Sequence, residues 1–131
     1  MNSPMSPPVT APERVVQEQL DAYNARDLDR WLATYADDAQ QFLLHGPLLA
    51  VGHAALRARM EERFQDPALH AELIHRMVLG SVVVDHEWVT RTLPEGLVRI
   101  GMICIYEVAD GRIARATFAI GQPEAVLLPG R

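Results

Sequence analysis

The run Val84-Asp85-His86-Glu87-Trp88-Val89-Thr90-Arg91 is where acid–base chemistry first suggests itself. Side chains alternate across a strand, so Val84, His86, Trp88 and Thr90 share one face, and Asp85, Glu87, Val89 and Arg91 share the other. Burying three formal charges costs more than burying one imidazole, so the His86 face is expected to point inward. An imidazole there is either a general acid or base titrating near neutrality, or a hydrogen-bonded core histidine that orients a cavity. A one-residue bulge near Asp85 would exchange the two faces.

Arg59 and Arg63 stand one turn apart beside an apolar Leu56, Met60, Phe64 stripe. They either guard a pocket mouth and attract a carboxylate, or form a solvated flank paired with Glu61 and Glu62. The other histidines, His45, His53, His70 and His75, form no His-x-His or His-Glu-x-x-His pattern, so no metal site is expected. No glycine-rich phosphate loop, Ser-His-Asp order or paired-carboxylate pattern is present, and no cofactor is expected. Cys104 is the one cysteine, which excludes an intrachain disulfide and suits a reducing compartment.

With 131 residues, 49% hydrophobic and 22% charged, the chain has the composition of one folded domain. Its net charge of −5 and lack of a basic cluster argue against nucleic acid. Neither a leader-like N-terminus nor a membrane-length apolar run is visible, so a cytoplasmic location is expected.

The elements that must position these residues follow from periodicity. Proline-rich residues 1–9 read as a loose tail. Thr10 with Glu13 predicts a helix start, continued by Val16, Leu20 and Tyr23 at helical spacing. Asp27 caps a second short helix carrying Leu28, Trp31, Leu32 and Tyr35 on one face, ended by Asp37-Asp38. Gln41–Leu44 reads as a short strand, Gly46-Pro47 and Gly52 bracket a loop, and His53–Gln65 is a third helix. Four strands follow over His70–Leu79, Val82–Leu93, Leu97–Val108 and Arg112–Ile120, joined at Gly80-Ser81, Pro94-Glu95-Gly96 and Asp110-Gly111. Residues 122–131 read as a C-terminal tail. Helices early and hairpins late predict an α+β fold with the helices on one side of an antiparallel sheet.

This order resembles the superfamily named after nuclear transport factor 2, which includes ketosteroid isomerase and the SnoaL-like polyketide cyclases. Val15-Val16-Gln17, Tyr23-Asn24-Ala25-Arg26-Asp27-Leu28-Asp29, Tyr35-Ala36-Asp37-Asp38-Ala39, Gly52 before Leu56-Arg57, and Ala109-Asp110-Gly111-Arg112-Ile113 carry the resemblance. It covers roughly residues 13–121, in a domain expected over 10–121. It implies a cone-shaped α+β barrel: a curved, mostly antiparallel sheet wrapped by three N-terminal helices around an apolar pocket. The ketosteroid isomerase base falls at Leu43, the oxyanion-hole tyrosine at Gln19 and the protonated aspartate near Cys104. The resemblance therefore implies no steroid isomerisation by that mechanism.

It also places Ile100, Met102, Cys104 and Tyr106 inside on one strand, and Ala116, Phe118 and Ile120 on the next. Tyr106 joins His86 as the second candidate catalytic residue, as an oxyanion donor or a buried anchor. Gln19, Tyr23, Trp31, Tyr35, Leu43, Arg59, Met60, Trp88, Met102, Cys104 and Phe118 are the expected ligand-contacting set. On the outer face, Ile103, Ile105, Val89 and Ala119 among Asp85, Glu87, Arg91, Arg99 and Arg115 suggest a two-fold homodimer. Two functions stay open. One is a cofactor-independent isomerase, cyclase or hydrolase on a small lipophilic molecule; the other is a non-catalytic ligand-binding or dimerisation module.

Overall fold

Thr10, itself extended, caps α1 (Ala11–Ala25), its Oγ1 accepting the Glu13 amide at 3.2 Å. The computed structural model describes residues 9–126, so the expected tail over 1–9 lies outside the described residues except for Val9. α1 buries Val16, Gln19, Leu20 and Ala22 along one stripe and ends at Arg26, whose backbone is left-handed. Asp27 caps α2 (Leu28–Ala33) by accepting the Arg30 amide at 3.2 Å.

Tyr35 does not continue α2 as the spacing suggests. It opens β1 (Tyr35–Leu43), and Asp37-Asp38 lies within that strand rather than in a breaker between elements. Both aspartates are exposed there, and Asp37 accepts a 3.0 Å bond from Arg112, so neither carboxylate is desolvated by the strand. The expected loop after Gly46-Pro47 contains a short strand, β2 (Leu48–Val51), paired antiparallel with β1. α3 (Gly52–Arg63) follows, then β3 (His70–Leu79), β4 (Val82–Leu93), β5 (Gly96–Ala109) and β6 (Arg112–Ile120).

Residues 122–126 are not wholly a tail. Glu124–Ala125 form β7, pairing with Arg99 and Val98 at the start of β5. The order β2-β1-β6-β5-β4-β3, with β7 beside β5, makes one seven-stranded sheet that is antiparallel except where β1 lies parallel to β6. Register breaks at Gln41/Phe42, Leu73/His75 and Glu107/Val108 add local bends to its twist.

The result is the expected cone of curved sheet and three helices. α1 packs on β3 to β6 and α3 on β1 and β2, so both helices cover one face. Val16, Trp31, Tyr35, Leu56 and Ile113 fill the main core, while Leu20, Leu69, Ala71 and Val89 form a smaller one beside it. No described helix is long and apolar enough to cross a membrane.

Candidate functional site

β4 settles which face looks inward, and it reverses the expectation. Asp85, Glu87 and Val89 are buried, whereas His86 is exposed and Trp88 half-buried. No bulge causes this, because β4 pairs with β5 without interruption from Val82 to Leu93. The charge argument failed because both carboxyl groups are compensated. Arg76 on β3 grips Asp85 with two bonds of 2.7 and 2.9 Å, and its third nitrogen donates to Gln17 Oε1 at 2.8 Å. Glu87 is eased differently, because its surroundings favour the protonated, uncharged form. Burial, reinforced by the nearby Asp85 charge, pushes its carboxyl up to about 7, opposed only in part by the Cys104 bond and Arg76.

Directly paired residues on neighbouring strands share a face, and the ladder carries the inward set across the sheet. Asp85 stands opposite Cys104 and Glu87 opposite Met102; Cys104 in turn stands opposite Phe118 and Tyr106 opposite Ala116. Under this face and α1 lies a cavity of about 110 Å³. Met60, Val89, Ile100, Met102 and Phe118 give it apolar walls. Its polar groups are Gln19, Tyr23, Tyr35, Gln41, Glu87, Cys104 and Tyr106, with Arg59, Arg63 and Arg91 as the charged ones.

Three buried side-chain atoms here have no hydrogen-bond partner among the described residues: Gln19 Oε1, Trp31 Nε1 and Glu87 Oε2. All three belong to residues lining this cavity. An orphaned buried polar atom costs about 1–3 kcal/mol, so these three are the groups that water or a guest in this space would satisfy. They offer one acceptor, one donor and one carboxyl oxygen.

The remaining polar groups are held neutral or tethered. Cys104 Sγ donates to Glu87 Oε1 at 3.8 Å, and burial pushes its thiol well up, so it is no thiolate. Arg59 donates to Gln41 Oε1 at 2.9 Å, and Gln41 Nε2 to the Tyr35 hydroxyl at 3.4 Å, leaving the Tyr35 O–H free to donate. Burial raises the Tyr35 and Tyr106 hydroxyls and pushes Tyr23 up to about 12, so all three stay protonated donors.

Of the residues singled out in the sequence, the cavity brings together Gln19, Tyr23, Trp31, Tyr35, Arg59, Met60, Met102, Cys104, Tyr106 and Phe118. It does not include His86, Trp88 or Leu43. His86 faces outward opposite Ile103, and Trp88 lies under the Arg99 guanidinium at 4.1 Å. Leu43 is partly buried and packs against the main core. Val89, expected on the outer face, is an inner wall. Sequence reasoning missed Glu87, Gln41 and Arg91. A signal for the first existed: counting outward from Gly80-Ser81 sets Leu79 against Val82 and Arg76 against Asp85, a partner that lets the acidic face of β4 turn inward. The described residues contain no group of His, Cys, Asp or Glu able to hold a metal ion.

The pattern of the SnoaL-like domain matches residues 16–116. The chain belongs to the SnoaL-like domain family. A comparison with curated protein sequences finds no match. Solved structures repeat the fold. An uncharacterized cystatin-fold protein from Novosphingobium aromaticivorans is 25% identical with a TM-score of 0.77, the match covering 84% of this chain and 98% of the other. The epoxide hydrolase/cyclase-like enzyme SalBIII, of pyran ring formation in salinomycin, is 18% identical with a TM-score of 0.76 over 84% and 90% of the two chains. A candidate SnoaL-like polyketide cyclase from Jannaschia sp. CCS1 is 20% identical with a TM-score of 0.74 over 91% of each. Identities this low carry the fold and leave the chemistry to the site.

Proposed function

We propose that this protein binds a small lipophilic molecule in the cavity and transfers a proton to or from it, with Glu87 as general acid–base. The observation that carries this reading is Glu87 itself, a buried carboxyl with one unpartnered oxygen in an apolar cavity. A group poised near 7 holds and releases a proton with comparable ease at neutral pH. Tyr35 supplies a neutral O–H for negative charge developing on a substrate oxygen, oriented by the Gln41–Arg59 chain. Gln19 Oε1 and Trp31 Nε1 orient the polar part of the guest, and the methionines and Phe118 exclude water. The step is an isomerisation, cyclisation or hydrolysis of the kind that a positioned acid and base drive without a cofactor. Ring-forming and epoxide-opening chemistry, named for SalBIII, falls in that class.

A base placed in an apolar cavity opens 5-nitrobenzisoxazole by removing its ring proton, which tests the reading without knowledge of the native substrate. The rate should rise with pH through about 7, vanish in Glu87→Gln and survive in His86→Gln. Activity retained in Glu87→Gln, or lost in His86→Gln, would overturn the assignment. Saturable binding with no proton transfer would make this a non-catalytic binding site, a role that Gln19 and Trp31 alone could fill.

A further inference from the structure

All twelve Lys or Arg positions of the chain are arginines, and half of them pair with carboxylates among the described residues. Arg30, Arg57, Arg76, Arg99, Arg112 and Arg115 pair with carboxylates. Arg59, Arg63 and Arg91 make no ion pair among the described residues, yet all three meet at one rim of the cavity. Arg59 and Arg63 come from successive turns of α3, and Arg91 comes from β4, four residues beyond Glu87 on the same face. Each is half-buried, and desolvation, with repulsion from the neighbouring arginine second, lowers the charge-holding tendency of Arg59 and Arg63.

Glu62 and Asp66 lie at the same opening and attract Arg63 and Arg91 from a distance, but neither makes an ion pair with them. Asp66 turns its oxygens to the Ala68 and Thr92 amides and the Thr92 hydroxyl, and Glu62 is exposed at the rim without a bond to either arginine. In a chain of net charge −5, three half-buried guanidinium groups without an ion pair outnumber the two carboxylates at this opening and leave it locally positive. An anion arriving from outside relieves that charge.

We infer that the guest of this cavity carries a carboxylate, held at the rim by Arg63 and Arg91 with Arg59 behind them, while its apolar body reaches inward toward Glu87. This rests on the proposed function and adds the substrate class: a lipophilic carboxylic acid rather than a neutral lipophile. The geometry separates the charged end from the reacting end, because Glu87 and the rim arginines occupy different stretches of the cavity wall.

Calorimetric titration of the intact protein with 2-naphthoate and with 2-naphthamide, its neutral near-isostere, tests the inference. The carboxylate should bind at least about tenfold tighter, as expected for a charge-assisted pair. That preference should shrink at high salt and fall toward unity in Arg63→Gln/Arg91→Gln, while persisting in Glu87→Gln. Thermal melts should show the rim variant folded, since it relieves the repulsion among the arginines and breaks no ion pair. Equal binding of both probes, or a preference unmoved by the rim substitutions, would overturn the carboxylate inference and leave the lipophilic-ligand reading standing. Binding of neither probe would overturn both.

Discussion

Glu87 couples the chemistry of the cavity to the stability of the fold. Its carboxyl sits near 7 in the folded protein and near 4.5 when unfolded, so the folded state prefers the protonated form. The sign follows directly. Below about pH 4.5 the group is protonated in both states and exacts no penalty. As pH rises toward 7 the unfolded chain ionises first, and folding stability falls. Above about pH 7 the loss is complete, at roughly 3 kcal/mol for a shift of this size. Glutamine has no charge to desolvate and can still take the Cys104 thiol bond. Urea unfolding of wild type and Glu87→Gln at about pH 5 and about pH 8 should therefore show the variant gaining on wild type as pH rises. A difference between the two proteins that does not change with pH would mean that Glu87 is not neutral in the fold.

The same compensation acts between elements at the β3–β4 hairpin. Asp85 is fully buried and Arg76 nearly so, which makes their pair indispensable once both are inside. Arg76→Met should strand a buried carboxylate and cost about 3–5 kcal/mol in urea unfolding. Adding Asp85→Asn to it should recover part of that loss; a loss within experimental error for the single variant would contradict the burial of the pair. This hairpin also shows what a sequence discloses. The bounds of β3, β4 and β6 follow from alternation and from the Gly80-Ser81 and Asp110-Gly111 turns, because hairpins are local. The parallel pairing of β1 with β6 is not legible, since it joins segments as far apart as Gln40 and Arg115, and β2 escapes because its four residues lie between the Gly46-Pro47 and Gly52 signals that read as a loop. The inner face of β4 lay between these cases. Arg76 and Asp85 are equidistant from their turn, so the pair could be counted. Weighing the charges of β4 without those of β3 turned His86 inward. The raised carboxyl of Glu87 comes from its burial by elements distant in sequence, and no local pattern carries that.

At the scale of the molecule, the outer face of the sheet is the mirror problem. Val84, Trp88, Ile103, Ile105, Thr117 and Ala119 lie only partly covered on β4, β5 and β6. They form one continuous patch, because Val84 stands opposite Ile105, His86 opposite Ile103, and Ile103 opposite Ala119. Asp85, Glu87 and Arg91 are absent from it, so the patch is less charged than alternation had suggested. Its fringe still alternates in sign, with Arg99 near Glu124 at 3.5 Å and Arg115 near Glu107 at 3.9 Å. An apolar centre with paired charges at the edge suits an isologous contact, in which each protomer presents the same patch and its arginines can meet the partner's glutamates. We propose a two-fold homodimer through this face. Sedimentation at micromolar concentration should give twice the chain mass, and Ile103→Glu, which puts a charge at the patch centre, should give the monomer with its fold intact. Arg99→Glu should weaken association less, since it disturbs the fringe and uncovers Trp88 without charging the centre. A wild-type protein that sediments as a monomer would leave this surface as ordinary half-covered sheet. The cavity, which opens on the opposite face, should bind its ligand equally well in the monomeric variant.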